Sequence, residues 1–292
     1  MSEQVSTIAV LGAGTMGRGI AHVAALAGYR THLHDPQAAV LSDAISSITV
    51  NLDKGVSRGK VEQAQAEAAK RKLERSHDLS DAVAEADLVI EAVPESIELK
   101  TSVFRAIEPL APTHAIFASN TSGLSITELA ATTTRPARFA GMHFFNPVHI
   151  MRLIELVRGL ETADETIEIL TAVGRRMGKE TITVNESPGF VTSRINALIG
   201  NEAFRMLENG VASAEDIDTA LRLGLNHPMG PFEMVDLVGL DVRLSILEYL
   251  HATLGDLYRP SQILIDYVRA GRLGRKVGLG VYSYDADGNR SG

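Results

Sequence analysis

Residues 5–35, VSTIAVLGAGTMGRGIAHVAALAGYRTHLHD, determine the expected fold of the first half of the chain. The apolar run at residues 8–11 is bounded by glycine and predicts a strand buried on both faces. The pattern G-x-G-x-x-G follows at residues 12–17, and apolar residues at helical spacing behind it predict a helix that a glycine ends. A second short strand at residues 31–34 leads to Asp35, so the stretch has the order strand, glycine loop, helix, strand and acid.

Each glycine of the loop has a separate role in dinucleotide binding. Gly12 permits the tight turn, Gly14 lets the backbone approach a pyrophosphate, and Gly17 allows the helix to pack closely on the strand. Unpaired N–H groups at the helix N-terminus, around Thr15 and Met16, are predicted to bind the phosphates. We therefore expect these five residues to line a cofactor site.

The acid after the second strand selects the cofactor. A carboxylate there accepts hydrogen bonds from the adenosine ribose hydroxyls and repels a 2′-phosphate, so Asp35 favours NAD over NADP. A glycine-rich turn without a ligand is the alternative, because G-x-G-x-x-G alone is a weak signal. The full order of elements favours dinucleotide binding.

Length and composition restrict the class of protein. A chain of 292 residues predicts two domains. The sequence contains no cysteine, which excludes disulfides, thiolate catalysis and cysteine-bound metal and favours a cytoplasmic location. The net charge of −8 argues against non-specific nucleic-acid binding. No apolar run approaches the roughly 18 residues of a membrane span, and the first strand begins too early for a signal peptide.

Strands and helices alternate as far as residue 185, which predicts an α/β fold with a doubly wound, mainly parallel sheet of Rossmann type. Beyond NESPGF, at residues 185–190, helical patterns dominate and no convincing strand appears before the last few residues. We therefore predict an NAD-binding domain over residues 1–185 and a smaller all-α domain over 186–292. The strands predicted after Asp35 are 87–93, 115–118, 139–142, 153–157 and 181–184.

A helical arm is predicted between the second strand and the strand at 87–93. Helices at 38–52 and 61–73 are joined by the turn-like DKGVSRGK, so the return to the sheet is delayed. Residues 51–75 carry seven basic and four acidic side chains, seven minus four or +3, in an acidic protein. Two interpretations stay open: a solvated helix pair, or a site for the phosphorylated part of a substrate. The basic residues are Lys54, Arg58, Lys60, Lys70, Arg71, Lys72 and Arg75.

Polar residues that follow the strands carry the predicted chemistry, because ligands of such sheets bind beyond the carboxyl ends of the strands. His143 ends one strand, and Glu155 lies twelve residues later in the apolar run LIELV. A buried carboxylate needs a partner, and beside a histidine it fixes the tautomer and stabilises the imidazolium. Such a base takes the O–H proton of an alcohol while hydride leaves, and Ser122 or Asn146 could position the same oxygen.

Other interpretations of these residues stay open. His143 is equally explained as a buried, hydrogen-bonded core histidine, and Glu155 as an outward-facing residue of an edge strand. Metal binding is not supported, because His143 and His149 lie six residues apart across a proline and the sequence contains no His-Glu-x-x-His pattern. The sequence also contains no Gly-x-Ser-x-Gly elbow of the kind that hydrolases use.

With these residues the chain resembles the NAD-dependent L-3-hydroxyacyl-CoA dehydrogenases, and most closely the short-chain bacterial 3-hydroxybutyryl-CoA dehydrogenases. The resemblance extends over nearly the whole chain, and HFFNP with PMGPFE is far more specific than the glycine motif. The matching segments are GAGTMG, EAVPE, SNTS, HFFNP, SPGF, HPMGPFEMVDLVGLD and LGRKVGLGVYSY, together with Asp35 and Glu155.

The resemblance implies a role for each predicted residue. His143 would be the base, Glu155 its partner and Ser122 a hydrogen-bonding partner of the substrate oxygen. Lys54, with basic neighbours such as Arg58, would meet the phosphates of coenzyme A. The family also implies a homodimer formed through the helical domain, and closure of one domain over the other that excludes water. The residues implied around the cofactor are Glu95, Lys100, Asn146 and Lys276.

One position departs from the family pattern. Many members carry asparagine where this chain has Ser193 in GFVTSRIN. Serine still donates a hydrogen bond but reaches less far, so the chain-length preference or the rate is expected to differ. Asn196, one turn later, or a water is a candidate to compensate, and both residues are predicted to bind substrate.

The predicted function is reversible oxidation of a short-chain (S)-3-hydroxyacyl-CoA to the 3-oxoacyl-CoA with NAD. Two alternatives stay open: a dehydrogenase of a free 3-hydroxy acid such as a sugar acid, and an NAD-binding scaffold without catalysis. A free acid has no nucleotide to occupy the basic arm. A scaffold has no reason to keep Ser122, His143 and Glu155 together.

Overall fold

The computed structural model describes residues 5–291. The chain divides into two compact units between Ser187 and Pro188. The first unit contains an eight-stranded sheet with helices, and the second is mostly helical, so the predicted fold class is confirmed. Among the described residues, no helix is both long enough and apolar enough to cross a membrane.

The strands of the first unit form one sheet, and they are β1 (Thr7–Leu11), β2 (Arg30–His34), β3 (Leu73–Ser76), β4 (Leu88–Glu91), β5 (Ile116–Ser119), β6 (Phe139–Phe144), β7 (Leu153–Arg158) and β8 (Glu180–Asn185). Their order is β3-β2-β1-β4-β5-β6-β7-β8. The first six strands are parallel, which is the doubly wound arrangement. β7 pairs antiparallel with β6, and β8 pairs parallel with β7.

Helices connect these strands, and they are α1 (Thr15–Leu26), α2 (Ala38–Ser57), α3 (Gln63–Lys72), α4 (Leu79–Val83), α5 (Ile97–Ile107), α6 (Ile126–Ala130) and α7 (Asp164–Arg176), with a 3-10 turn at Pro136–Arg138. All five residues of β1 are buried. Apolar residues of α1 join the core cluster that contains Ile8 and Val10 of β1, because helical spacing places them on one face.

The glycine loop between β1 and α1 has the geometry that its glycines predict. Gly12 has φ of +97°, a backbone conformation that residues other than glycine rarely adopt. A Cβ at Gly17 would lie 1.7 Å from the carbonyl oxygen of Gly12, so α1 approaches β1 more closely than any other residue would permit. A Cβ at Gly14 would meet nothing within 4 Å, so the loop is open at this position.

The helical arm and its return to the sheet differ from the sequence prediction. α2 continues to Ser57, beyond the predicted range 38–52, and α3 ends at Lys72 rather than Leu73. Residues Leu73–Ser76 form β3, which pairs with β2 at the edge of the sheet. The sequence does not predict β3 or α4, because LERS is a short polar edge strand without an apolar alternation.

The second unit contains the helices α8 (Thr192–Glu208), α9 (Ala214–Thr219), α10 (Pro231–Val238), α11 (Leu240–Leu254) and α12 (Gln262–Arg269). Its two strands, which the prediction of an all-α domain did not include, are short and lie close to the last residues described: β9 (Ser283–Tyr284) pairs antiparallel with β10 (Arg290–Ser291). Short helical turns occur at Ala220–Gly224, Asp256–Tyr258 and Arg275–Val277.

The carboxylate of Asp236 on α10 holds the C-terminal segment against the helices of this unit. It accepts hydrogen bonds from the backbone N–H groups of Val281 at 2.8 Å and Tyr282 at 2.9 Å, and from the hydroxyl of Tyr284 at 2.8 Å. A Cβ at Gly280 would lie 1.9 Å from an oxygen of Asp236, so only glycine fits there. The residues Asp236 in EMVDLVGLD and Gly280 in GLGVYSY therefore have a structural role in this unit.

The contact between Gly17 and Gly12 makes a prediction about stability. Gly17→Ala should lower the free energy of unfolding by about 3 kcal/mol, because the added methyl group overlaps a backbone oxygen that cannot move without displacing β1 or α1. Gly14→Ala is the matched control, since Gly14 has φ of −65° and open space at its Cβ position. Chemical denaturation of both variants should give a change below about 0.5 kcal/mol for the control. Equal effects would contradict the packing role.

Candidate active site

The register of β6 and β7 brings His143 and Glu155 together. The two residues lie directly opposite each other in the antiparallel pair. His143 Nδ1 and Glu155 Oε2 are 2.8 Å apart, and both side chains are buried. β7 lies between β6 and β8, so Glu155 is not an outward-facing residue of an edge strand. Of the two interpretations of Glu155, burial beside His143 is the one that the structure contains.

The contact with Glu155 determines the orientation of the imidazole. An ionised carboxylate accepts hydrogen bonds and donates none, so Nδ1 carries the proton in this pair and Nε2 is the basic nitrogen. The ring of Phe145 lies against the imidazole, with the ring centroids 4.5 Å apart. An imidazole held in this tautomer can accept a proton at Nε2 while the carboxylate stabilises the resulting charge.

The carboxyl ends of β4 and β5 bring Glu95 and Ser122 together. Glu95 Oε1 accepts hydrogen bonds from Thr121 Oγ1 at 2.6 Å, from the backbone N–H of Ser122 at 2.9 Å and from Ser122 Oγ at 3.3 Å. Asn120 links β5 to β6, because its side-chain oxygen accepts from the N–H of Phe144 at 2.9 Å. The loop that carries Ser122 is therefore held to both neighbouring strands.

Beneath this loop lies a buried ion pair that the sequence analysis did not identify. Lys100 Nζ on α5 is 2.7 Å from Glu91 Oε1 at the end of β4, and neither side chain is more than 1% exposed. Burial raises the pKa of Glu91, whereas the Lys100 charge and hydrogen bonds from Lys100, Ser119 and the N–H of Val93 oppose that rise. The detectable signal is a glutamate within the apolar run DLVIEAV followed nine residues later by a lysine.

The predicted cofactor residues of the first βαβ unit are also brought together. Asp35 follows β2, and its Oδ2 accepts a hydrogen bond from the N–H of Ala13 in the glycine loop at 2.9 Å. Thr15 and Met16 begin α1 directly after Gly14. The open Cβ position of Gly14, the helix N-terminus and the acid at the end of β2 form the arrangement that a dinucleotide requires. These residues therefore fit NAD.

The loop after β6 contains Asn146 and packs on α1. A Cβ at Gly19 of α1 would lie 2.8 Å from the side chain of Val148, so the loop rests against the helix surface. The ammonium of Lys179 donates hydrogen bonds to the carbonyl oxygens of Val148 and Met151. This cluster anchors the segment that directly follows Asn146.

Two stacked histidine rings also join the loop after β6 to α1. The rings of His22 on α1 and His149 in the loop are stacked, with centroids 5.6 Å apart and an interplanar angle of 3°. Burial, together with the nearby His149 and Lys179, lowers the pKa of His22 from 6.5 to about 4. Burial also lowers the pKa values of His149 and Lys179. His22 is therefore neutral in the folded protein at neutral pH.

The basic residues of the arm differ in whether they form ion pairs. Lys70 forms ion pairs with Asp53 and Glu67, both at 2.8 Å. Lys54 and Arg58, at the end of α2, are exposed and form no ion pair with any residue between 5 and 291. Lys54 and Arg58 have the exposure that binding of a phosphorylated substrate would require. Ion pairs within the arm therefore do not account for all of its basic residues.

The remaining predicted residues belong to the second unit. Ser193 and Asn196 are partly exposed and lie three residues apart near the start of α8, so they share a helix face. Lys276 Nζ lies 2.6 Å from both carboxylate oxygens of Asp241. Within the described part of the chain, no three histidine or acidic side chains are arranged to hold a metal ion.

The strand order, the glycine loop, the acid after β2 and the buried histidine–carboxylate pair define a class of protein, the dinucleotide-dependent dehydrogenases of doubly wound fold. Comparison with known families makes the assignment specific. The sequence model for the NAD binding domain of 3-hydroxyacyl-CoA dehydrogenase matches residues 7–187, and that for the C-terminal domain matches residues 189–284. The chain belongs to the 3-hydroxyacyl-CoA dehydrogenase family, and its cofactor is NAD.

Individual relatives are similar over almost their full length. A probable 3-hydroxybutyryl-CoA dehydrogenase of Bacillus subtilis is 43% identical over 283 residues, which cover 97% of this chain and 98% of that protein. A 3-hydroxybutyryl-CoA dehydrogenase of Bradyrhizobium diazoefficiens is 43% identical over 285 residues, with 97% of each chain covered. The crystal structure of (S)-3-hydroxybutyryl-CoA dehydrogenase from Ralstonia eutropha has a TM-score of 0.93 at 42% identity, over 97% of this chain and 100% of that one.

The buried His22 on α1 predicts a pH dependence of stability. The pKa of His22 is lower in the folded than in the unfolded protein, so its contribution to stability is complete above about pH 6.5 and is lost as the pH falls toward about 4. His22→Phe should keep the stacked ring but has no group that titrates. Its free energy of unfolding should therefore fall by about 3 kcal/mol less than that of the parent protein between about pH 6.5 and pH 4. Chemical denaturation across the pH series measures the difference from the parent protein, with the exposed His77→Gln as control. Parallel pH profiles for His22→Phe and the parent would contradict the prediction.

Proposed function

We propose that this chain reversibly oxidises a short-chain (S)-3-hydroxyacyl-CoA, such as 3-hydroxybutyryl-CoA, to the 3-oxoacyl-CoA, with NAD as hydride acceptor. The observation that carries the proposal is the buried pair of His143 and Glu155, in register at the end of the sheet that also carries the glycine loop. The names of the relatives indicate the substrate class. These supports favour the proposal over a free 3-hydroxy acid substrate or a non-catalytic scaffold.

In this proposal His143 is the general base. When bound, NAD supplies an electrophilic nicotinamide ring that accepts the hydride from C3 of the substrate. The proton of the substrate hydroxyl passes to Nε2 of His143, because Nδ1 donates to Glu155. The hydroxyl oxygen then forms the new carbonyl bond as the C–H electron pair leaves, so one proton and one hydride account for the oxidation. Glu155 stabilises the imidazolium until the proton is released.

In this proposal Ser122 is a hydrogen-bonding partner of the reacting oxygen. It lies in the loop after β5, and its N–H and hydroxyl both contact Glu95. Its hydroxyl also has acceptor capacity and a rotatable proton, so it can serve the substrate oxygen in both directions of the reaction. Glu95 and Asn146 follow β4 and β6 at the same edge of the sheet, which supports their assignment to the cofactor region.

Substrate binding is assigned to two further groups. Lys54 and Arg58, which are exposed and form no ion pair within the described part of the chain, would meet the phosphates of coenzyme A, because multivalent anions attract cations that no acidic neighbour neutralises. Ser193 and Asn196 on α8 would bind the acyl part of the substrate, and Lys276 would contact the cofactor. These three residues belong to the second unit.

We also propose a homodimer formed through the helical unit and a cytoplasmic location. The second unit exposes many large apolar side chains, which supports an interface between copies. The absence of cysteine from the sequence agrees with a reducing compartment. The exposed apolar residues of this unit include Val191, Ile195, Val211, Leu223, Leu225, Leu237, Val242 and Leu257.

Replacement of the base tests the function directly. His143→Gln should lower kcat for oxidation of 3-hydroxybutyryl-CoA by about two to four orders of magnitude, because general base catalysis contributes on this scale. The NADH dissociation constant should change little. The measurements are NADH formation and fluorescence titration, with the surface variant His114→Gln as control. Unchanged turnover of His143→Gln would show that another group is the base.

The basic arm predicts a selective effect on the substrate. The double variant Lys54→Glu/Arg58→Glu should raise KM for 3-hydroxybutyryl-CoA by about tenfold or more, because it places two like charges beside the phosphates. Activity with free 3-hydroxybutyrate should be nearly unaffected. Arg105→Glu/Arg175→Glu is the matched control, since both arginines are exposed and lie in the last turns of α5 and α7. Equal changes in KM for both double variants would reject the assignment.

A further inference from the structure

We propose that Glu91 and Lys100 are positioning residues that set the place of Ser122 through Glu95. The proposal rests on the proposed function, because Ser122 is assigned there to the reacting oxygen. The chain of contacts runs from the end of β4, through the ammonium on α5, to the loop after β5. It makes a buried ion pair part of the geometry of the site, although neither of its members is exposed to a ligand.

Glu91 is the fixed end of this series of contacts. One carboxylate oxygen, Oε1, accepts hydrogen bonds from the N–H of Val93 and the ammonium of Lys100, both at 2.7 Å. The other, Oε2, accepts from the hydroxyl of Ser119 at 2.6 Å. Both oxygens are thus held by β4, β5 and α5, and the side chain is completely buried. A carboxylate held in this way has no freedom to follow a moving partner.

Lys100 is the link. Its ammonium has three N–H donors, and three acceptors surround it: Glu91 Oε1 at 2.7 Å, Glu95 Oε2 at 3.2 Å and the carbonyl oxygen of Val93 at 3.3 Å. The side chain is only 1% exposed. Because one of these acceptors is Glu95, Lys100 can act on the site through that carboxylate.

Glu95 divides its two oxygens between this link and the loop of Ser122. Oε2 faces the ammonium of Lys100, and Oε1 accepts from Thr121 and from both the N–H and the hydroxyl of Ser122. The Glu95 side chain is 42% exposed, so solvent competes for it and packing alone does not hold it. Loss of the Glu91–Lys100 ion pair therefore allows Glu95 to move, and the orientation of the Ser122 hydroxyl changes with it.

A double-mutant cycle separates this role from simple stabilisation, since residues that act through one another give non-additive effects. Glu91→Gln keeps the size of the side chain and removes the charge of the buried one of the two carboxylates that face Lys100. At saturating NAD, it should lower kcat/KM for 3-hydroxybutyryl-CoA about tenfold in the parent background. In the Ser122→Ala background it should lower it less than about twofold, because no serine hydroxyl is left to misplace.

Glu108→Gln is the matched control. Glu108 is also a largely buried carboxylate in an ion pair, 3.2 Å from Arg135, but it lies after α5 and contacts none of these residues. Its effect should be the same in both backgrounds. Thermal unfolding of every variant records the stability change separately. If Glu91→Gln does not fold, Glu91→Gln/Lys100→Met replaces it in the cycle, because removal of both charges leaves no unpaired ion.

The outcomes distinguish the two proposals. A parent protein that forms no NADH with 3-hydroxybutyryl-CoA overturns the proposed function and this inference with it. An active parent in which Glu91→Gln lowers kcat/KM equally in both backgrounds overturns the positioning role alone. A coupled effect for Glu91→Gln with an uncoupled effect for Glu108→Gln supports the inference.

Discussion

The antiparallel pairing of β6 with β7 is the constraint on which the candidate site depends. It places Glu155 directly opposite His143, at 2.8 Å, inside the sheet rather than at its edge. A shift of the register by one residue would turn every side chain of β7 to the opposite face. The carboxylate would then lose its partner, and burial of an unpaired charge is strongly unfavourable. The pair and the register therefore stabilise each other.

A second constraint comes from the parallel strands. Their carboxyl ends meet at one edge of the sheet, so the glycine loop after β1, Glu95 after β4 and Ser122 after β5 become neighbours without being close in sequence. The close approach at Gly17 brings α1 onto β1, and this places the N-terminus of the helix at the same edge. The candidate cofactor and substrate residues thus share one edge because the strands run in one direction.

Much of this was predictable because it depends on local pattern. Apolar runs, helical spacing and glycine positions predict the first βαβ unit, and the resemblance to a family predicts the residues of the site. β3 was not predictable, since one leucine followed by three polar residues at a sheet edge carries no apolar alternation. The Glu91–Lys100 pair was missed for a different reason: a glutamate in an apolar run followed by a lysine suggests a pair, but only the placement of β4 against α5 shows that the two side chains meet.

The amino-acid sequence by itself determined the fold class and the glycine loop, and it predicted NAD from Asp35, because each of these depends on residues close together in the chain. Only the tertiary structure decided that Glu155 is buried beside His143, that the Lys100 ammonium is enclosed by protein acceptors, and that Lys54 stays unpaired among the described residues. The physical reason is that hydrogen bonds and ion pairs between distant segments depend on register and burial. The register between strands that are distant in the chain is not encoded in any single stretch of residues.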